Sequence, residues 1–329
     1  MTAQYLRSLS LVVADSSGEG IDLSNLRVRF HVRRGDTQTP NSMNARVYNL
    51  SAATAAQIEN EFTQIVLQAG YGDNLSLVFR GVITQTRHGR VDQRDSYVDI
   101  TAADGDEAYN YSPMAISLAA GARPQDVVQA VLKSMATPAL GKLPANQQPI
   151  TQGYTAAVPQ NGSLRGKVLF GLARDVMRKL ADTHDLKWSI QEGQLTVIQN
   201  GSYIPGDPVL ITPSTGLIGV PETTENGLSM RVLLNPDIKI GSLVKLDSTD
   251  VNQYRYGLDK NSQVANAFLA ATSTKLSADG TYYVMRADHL GDTRGDEWYT
   301  ELTCLATDIS VPAKALPYQA VGPMPVARY

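Results

Sequence analysis

Four histidines, one cysteine and 32 carboxylates are the main stock of metal-binding, nucleophilic and acid–base side chains in this chain of 329 residues. His31, His88, His184 and His289 stand apart: none lies three or four positions from another, so no helical face carries a paired-ligand motif. Each is read as solvated or capping. His31 belongs to the polar face of an arginine-rich strand, and His184 ends a helix, where a cation meets the carbonyl end of the dipole. Cys304 shares strand parity with Trp298, Leu302 and Ala306, the place of a small core residue rather than an activated thiol. A lone cysteine also excludes an internal disulfide and a cysteine-based zinc site.

The remaining motifs fail on spacing. Gly162-Ser-Leu-Arg-Gly166-Lys167 is one residue short of a phosphate-binding loop, and Val168 stands where a Mg²⁺-binding hydroxyl belongs. It reads as a loop entering a helix. Gly70-Tyr-Gly72 lacks the third glycine of a dinucleotide turn, and there is no Gly-x-Ser-x-Gly elbow. Asp104-Gly105-Asp106-Glu107 gathers carboxylates, but Ala108-Tyr109-Asn110 supplies no further calcium ligands. A turn whose aspartates bond their own backbone is expected there, and another turn at Arg34-Gly35-Asp36. Thirty-two acids always permit some pair suited to glycoside hydrolysis, yet no spacing selects one. The expectation is therefore a protein that is no enzyme and holds no metal or cofactor.

With 29 basic residues against 32 acidic ones, the net charge of −3 excludes a protein held on nucleic acid by phosphate neutralisation. No window approaches the ~18 apolar residues of a membrane span, and no secretory signal is visible. A soluble chain made in a reducing cytoplasm is expected.

The elements that would position any site are mostly strands. Leu26, Val28, Phe30 and Val32 alternate with Arg27, Arg29, His31 and Arg33, the period-two pattern of a strand buried on one face. Residues 8–13, 45–49, 63–69, 75–84 and 96–102 add β-favouring runs, and Ser51 can cap a short helix over 52–60. Pro124 opens a helix with Val127, Val128, Val131, Leu132 and Met135 at helical spacing. Residues 137–162 read as loop. Ser163 is expected to cap a second helix bearing Val168, Leu169, Leu172, Val176, Met177 and Leu180. Trp188 and Ile190, the turn Glu192-Gly193, then Leu195 and Val197 spell a hairpin.

Strand candidates resume at 209–211, 228–234, 242–246, 281–289 and 298–306. The chain is thus expected to be mainly β with an α+β middle: β structure over 1–107, helices and a hairpin over 108–207, and β structure over 208–310 with a polar insertion near 251–279. Residues 311–329, with Pro312, Pro317, Pro323 and Pro325, form an extended arm. No short-period repeat is visible.

The run Gly216-Leu-Ile-Gly-Val-Pro221-Glu-Thr-Thr-Glu-Asn-Gly227, then Leu233-Leu-Asn-Pro236 and Ile240-Gly-Ser-Leu-Val-Lys-Leu246, resembles the baseplate hub proteins of contractile-tailed bacteriophages. So do Gly280-Thr-Tyr-Tyr-Val-Met285, His289-Leu-Gly-Asp-Thr-Arg-Gly295, Trp298 and Thr300. Asn41-Ser-Met-Asn44, Asn49-Leu-Ser51, Gly81-Val-Ile and Ala103-Asp-Gly105-Asp extend the likeness upstream. It covers most of the chain but lies in structural turns, and residues 137–165 and 251–279 carry little of it.

The resemblance implies two tail-tube-like β-barrels of one fold per subunit, the middle domain sitting outside them. It implies a homotrimer joining a sixfold tail tube, or a tube-initiator hexamer, to a threefold central spike, with further contacts to other baseplate proteins. Tape-measure protein and DNA would pass through the lumen without specific binding, and nothing would enter a membrane. The chain would reside in the virion's tail baseplate after synthesis in the host cytoplasm. Arg27, Arg29 and Arg33 are then expected at a protein–protein contact rather than on the lumen. The arm, with Leu316, Tyr318 and Tyr329, would be an assembly element docking in cis or in trans. A tail-associated cell-wall hydrolase and a carbohydrate- or receptor-binding β module stand as alternatives.

Overall fold

The computed structural model describes residues 6–15, 17–136, 149–156, 158–224, 227–246 and 280–307. The chain begins with strands β1 (Arg7–Ala14), β2 (Gly20–Asp22), β3 (Val28–Gly35) and β4 (Ser42–Tyr48). On β3 every second side chain is buried: Val28, Phe30, Val32 and then Arg34. The Ser51 hydroxyl caps α1 (Ala52–Asn60) by accepting the Thr54 N–H at 3.0 Å. β5 (Gln64–Tyr71), β6 (Asn74–Arg90) and β7 (Ser96–Ala103) follow. β6 outruns its apolar stretch because it serves two partners: residues 74–82 pair with β5, and residues 82–90 pair with β7.

The middle of the chain holds α2 (Asp106–Asn110), β8 (Pro113–Leu118), α3 (Pro124–Ala136), β9 (Thr151–Thr155), β10 (Lys167–Leu172), α4 (Ala173–His184), β11 (Leu186–Gln191) and β12 (Gln194–Gln199). Pro124 occupies the first turn of α3, where the Asp126 carboxylate accepts the Arg123 N–H at 2.7 Å. Two expectations fail here. Residues 151–155 are not loop but a strand parallel to β12. Ser163 caps no helix: residues 167–172 run as β10 against β8, and α4 starts only at Ala173. Val168, Leu169 and Leu172 fit a helical stripe and a strand equally well, and pairing with β8 decided the matter.

The third stretch contains β13 (Val209–Ile211), a short 3-10 turn, β14 (Leu217–Thr224), β15 (Gly227–Leu233), β16 (Leu243–Leu246), β17 (Thr281–Asp292) and β18 (Trp298–Ala306). A 13-stranded sheet joins it to the first stretch in the order β14-β15-β18-β17-β3-β4-β7-β6-β5-β1-β2, with β16 and β13 branching from β17. The fold is mainly β. Separate closed barrels are not found among the described residues. β17 hydrogen-bonds to β3, so the two halves share one continuous sheet instead of each closing on itself.

Three apolar clusters pack around this frame. The first gathers Phe30, Val32, Met43, Ile65, Leu67 and Ile100, and takes Leu234 and Trp298 from the far half of the sequence. Phe30 meets Trp298 edge-on at 5.7 Å. Gly291 makes room for them: a Cβ there would lie 2.4 Å from the Phe30 ring. In the second cluster, Val128, Val131, Met177 and Leu180 from the two longer helices of the middle stretch pack on Trp188, Ile190 and Val197 of the hairpin. The third contains Val232, Val244, Tyr282, Val284, Leu302 and Cys304.

Candidate functional site

The sheet order contains a repeat. β3, β4, β6 and β7 lie in the spatial order first, second, fourth, third; β14, β15, β17 and β18 lie in the same order. Matching side chains occupy matching places. Arg46 on β4 pairs across to Asp99 on β7, forming two bonds of 2.6 and 2.9 Å, and its guanidinium lies 4.1 Å from the Tyr97 ring. Arg231 on β15 pairs across to Glu301 on β18 at 2.6 Å and lies 4.4 Å from the Tyr299 ring. The signal was present in the sequence as Arg46-Val47 with Tyr97-x-Asp99-x-Thr101, echoed by Arg231-Val232 with Tyr299-x-Glu301-x-Thr303. It escapes a search for short-period repeats because about 200 residues separate the copies.

The two units join where the third strand of the second, β17, pairs with the first strand of the first, β3. The outer edges of this eight-strand run are β14, with β15 as its sole described partner, and the far half of β6, beyond the end of β5. The free edges are thus the same two kinds of strand that pair at the internal junction.

A buried polar knot ties the middle stretch to that junction. The two-residue turn of the β11–β12 hairpin places both Glu192 (φ 56°) and Gly193 (φ 76°) in the left-handed region, the geometry of a type I′ turn. Their N–H groups donate to the two carboxylate oxygens of Asp104 at 2.7 and 3.0 Å. The Glu192 carboxylate accepts from Arg34 at 2.9 Å and also pairs with Lys239. Asn41 donates to Ile190 O and Gln191 Oε1, while Gln191 donates to Gly35 O at 2.7 Å. Asp36 accepts from Lys187 at 3.2 Å and from the Tyr283 hydroxyl at 3.0 Å.

These contacts correct two expectations. Asp104 bonds a turn 88 residues away rather than its own backbone, and Arg34-Gly35 ends a strand with Arg34 facing inward. Parity with Val28, Phe30 and Val32 already placed Arg34 on the core side, and a buried arginine needs a carboxylate.

Electrostatics at this knot are those of a clamp. Burial pushes the Asp104 carboxyl up to about 6, against the lowering effect of the two turn amides and of Arg34. His289 is fully buried, not solvated, and its Nδ1 lies 2.9 Å from the Thr300 hydroxyl. Burial, aided by the Arg34 charge, lowers its pKa to about 3, so the ring is neutral. Burial raises the Cys304 thiol to about 12. None of these groups can reach a substrate, and among the described residues no three His, Cys, Asp or Glu side chains gather as metal ligands.

The sequence-expected interface residues are placed as follows. Arg27 pairs with Asp292 at 2.7 Å and lies 4.7 Å from the Tyr48 ring; Arg29 pairs with Glu297 at 3.0 Å. Both therefore hold the β17–β18 turn, as does Arg7, which donates to Gly295 O and Asp296 O. Arg33 stands opposite Asp288 in the β3–β17 ladder, and its Nε is buried with no hydrogen-bond partner among the described residues. Leu316, Tyr318 and Tyr329 lie outside the described residues, as does the insertion at 251–279.

A family model described as baseplate hub gp41 matches residues 41–254. No curated protein matches the chain. Among solved structures, the 43 kDa tail protein of prophage MuSo2 from Shewanella oneidensis aligns with a TM-score of 0.56 at 8% identity, covering 92% of this chain and 97% of that one. A tail protein from Neisseria meningitidis aligns with a TM-score of 0.54 at 12% identity, covering 94% and 100%. An Escherichia coli protein aligns at 0.52 and 10% identity, covering 85% and 73%; it is described as a type VI secretion component structurally similar to the T4 tail proteins gp27 and gp5. At these identities the likeness is one of fold.

Proposed function

The chain belongs to the baseplate hub gp41 family, structural proteins of the phage tail baseplate, and from that premise we propose that it forms a trimeric ring in which six sheet units meet a sixfold tail tube above and a threefold spike below. The observation that carries this reading is the repeat with complementary open edges. A second copy can extend the sheet by repeating the pairing already made inside the chain, β6 of one copy lying against β14 of the next. That contact is heterologous, so it generates a ring when the rotation closes. Three copies then present six near-equivalent units, and every edge of the run is covered.

Tape-measure protein and DNA pass through the lumen of this ring, unretained by a chain of net charge −3. The role is architectural, without catalysis. The arm bearing Leu316, Tyr318 and Tyr329 docks on neighbouring baseplate proteins.

The repeat also sets the register. Leu290 faces Tyr299 as Gly89 faces Tyr97; His31 faces Asn44, two residues before Arg46, as Glu222 faces Ser229, two residues before Arg231. The internal pairs Leu290–His31 and His289–Val32 therefore translate into Gly89–Glu222 and His88–Thr223 between copies. A chain carrying both His88→Cys and Thr223→Cys should oxidise to a covalent trimer on a non-reducing gel, while each single variant stays monomeric. Covalent dimers with no trimer, or no cross-link in a preparation that is trimeric by light scattering, would refute this assembly.

A further inference from the structure

The β8–β10 ribbon carries an uncovered apolar face. One side of it is conventional: Met114 and Leu169 are buried against the helical cluster. On the other side Val168 is 76% exposed and Phe170 81% exposed, and Leu164 just before the strand is 98% exposed. Their cross-strand partners are Ser117 and Ala115, too small to cover them. Neither β8 nor β10 pairs with any other described strand. A strand with an open edge and bare aromatic and branched side chains is the usual template for an added strand.

The ground beside β10 tells what would be added. A groove of about 190 Å³ runs between β10 and α4, lined by Val168, Leu169 and Phe170, with Lys167, Lys179 and His184 as its titratable groups. Among the described residues no carboxylate lines it; Asp175, which pairs with Arg178, and Asp182 belong to α4 but stand outside the groove. Two of the chain's own segments outside the described residues match poorly: 137–148 and 311–329 contain no Asp or Glu, and they carry Lys142, Lys314 and Arg328, of the same sign as the groove. A third, 247–279, mixes four Asp with Arg255, Lys260 and Lys275, so it presents no run of one sign.

We propose that this face is the docking site for an extended, acidic segment of a different baseplate protein, whose apolar side chains cover Val168 and Phe170 while its carboxylates meet Lys167 and Lys179. The site rests on the chain's place in a baseplate but not on the closure of the ring. Small cross-strand partners, an open edge and a one-signed groove fit a strand of alternating apolar and acidic residues.

The test is photo-cross-linking in assembled particles, with benzoylphenylalanine replacing Phe170 in the full chain. Because the position is exposed, the replacement leaves folding intact, and incorporation of the chain into particles is measured separately by mass spectrometry. The expected product joins residue 170 to a peptide of another polypeptide that carries Asp or Glu at alternate positions. In a chain with Lys167→Glu and Lys179→Glu, its yield should fall at least fivefold while incorporation is retained. Products confined to this chain or a second copy, a partner peptide without carboxylates, or no product from particles that contain the chain would overturn the proposal. Absence of the chain from the particles would instead defeat the baseplate reading itself.

Discussion

Asp104 gives the sharpest check on the polar knot, because its burial and its two turn contacts pull in opposite directions. Burial wins, and its carboxyl is held at about 6 against an ordinary value of 3.8. A folded-state pKa above the unfolded one means that the folded chain binds the proton more tightly. The contribution to stability is therefore fully present below pH 3.8 and is lost as the pH rises through 6. At about 1.4 kcal/mol for each pH unit between the two values, the full span is about 3 kcal/mol between pH 3 and pH 7, with about 2.4 of it lost between pH 4 and pH 7. Asp104→Asn removes the titration while keeping size and one acceptor oxygen; its fixed cost, from an amide turned toward a turn N–H, does not vary with pH. Urea unfolding of both proteins, followed by the fluorescence of the buried Trp188 and Trp298, isolates the effect in the difference between them. His289, whose lowered pKa makes the chain lose stability as the pH falls below 6.5, is common to both and cancels. Wild-type stability relative to the variant should fall by about 3 kcal/mol from pH 3 to pH 7. A flat difference, or one that rises with pH, would refute the claim that burial outweighs the Glu192 and Gly193 amides.

Phe30→Ala opens a cavity beside Trp298 at the point where the two halves share a core; a loss of about 3–5 kcal/mol in urea unfolding is expected, with a shift in tryptophan emission. The repeated arginines should differ in weight. Arg231, in a pair that is 49% and 43% exposed, should cost no more than about 0.5 kcal/mol on replacement by Ala, whereas Arg46, with two bonds to Asp99 in a more buried pair, should cost about 1–2 kcal/mol.

The sequence by itself determined what depends on neighbours within a few positions. Alternation from Leu26 to Arg33 dictated a half-buried strand, Ser51 and Pro124 marked helix starts, and Glu192-Gly193 marked a hairpin turn, since each rests on local backbone geometry and side-chain parity. Cys304 was legible as core by the same parity. Pairing was not. Whether residues 167–172 would be helix or strand depended on β8, some fifty positions away, because a short apolar run satisfies both periods. The buried state of His289, the reach of Asp104 to Glu192, and the joining of β17 to β3 in place of two closed barrels all depend on contacts between residues far apart in the chain. Backbone edges hydrogen-bond alike whatever side chains they carry, so only the packed tertiary structure decides which edge meets which.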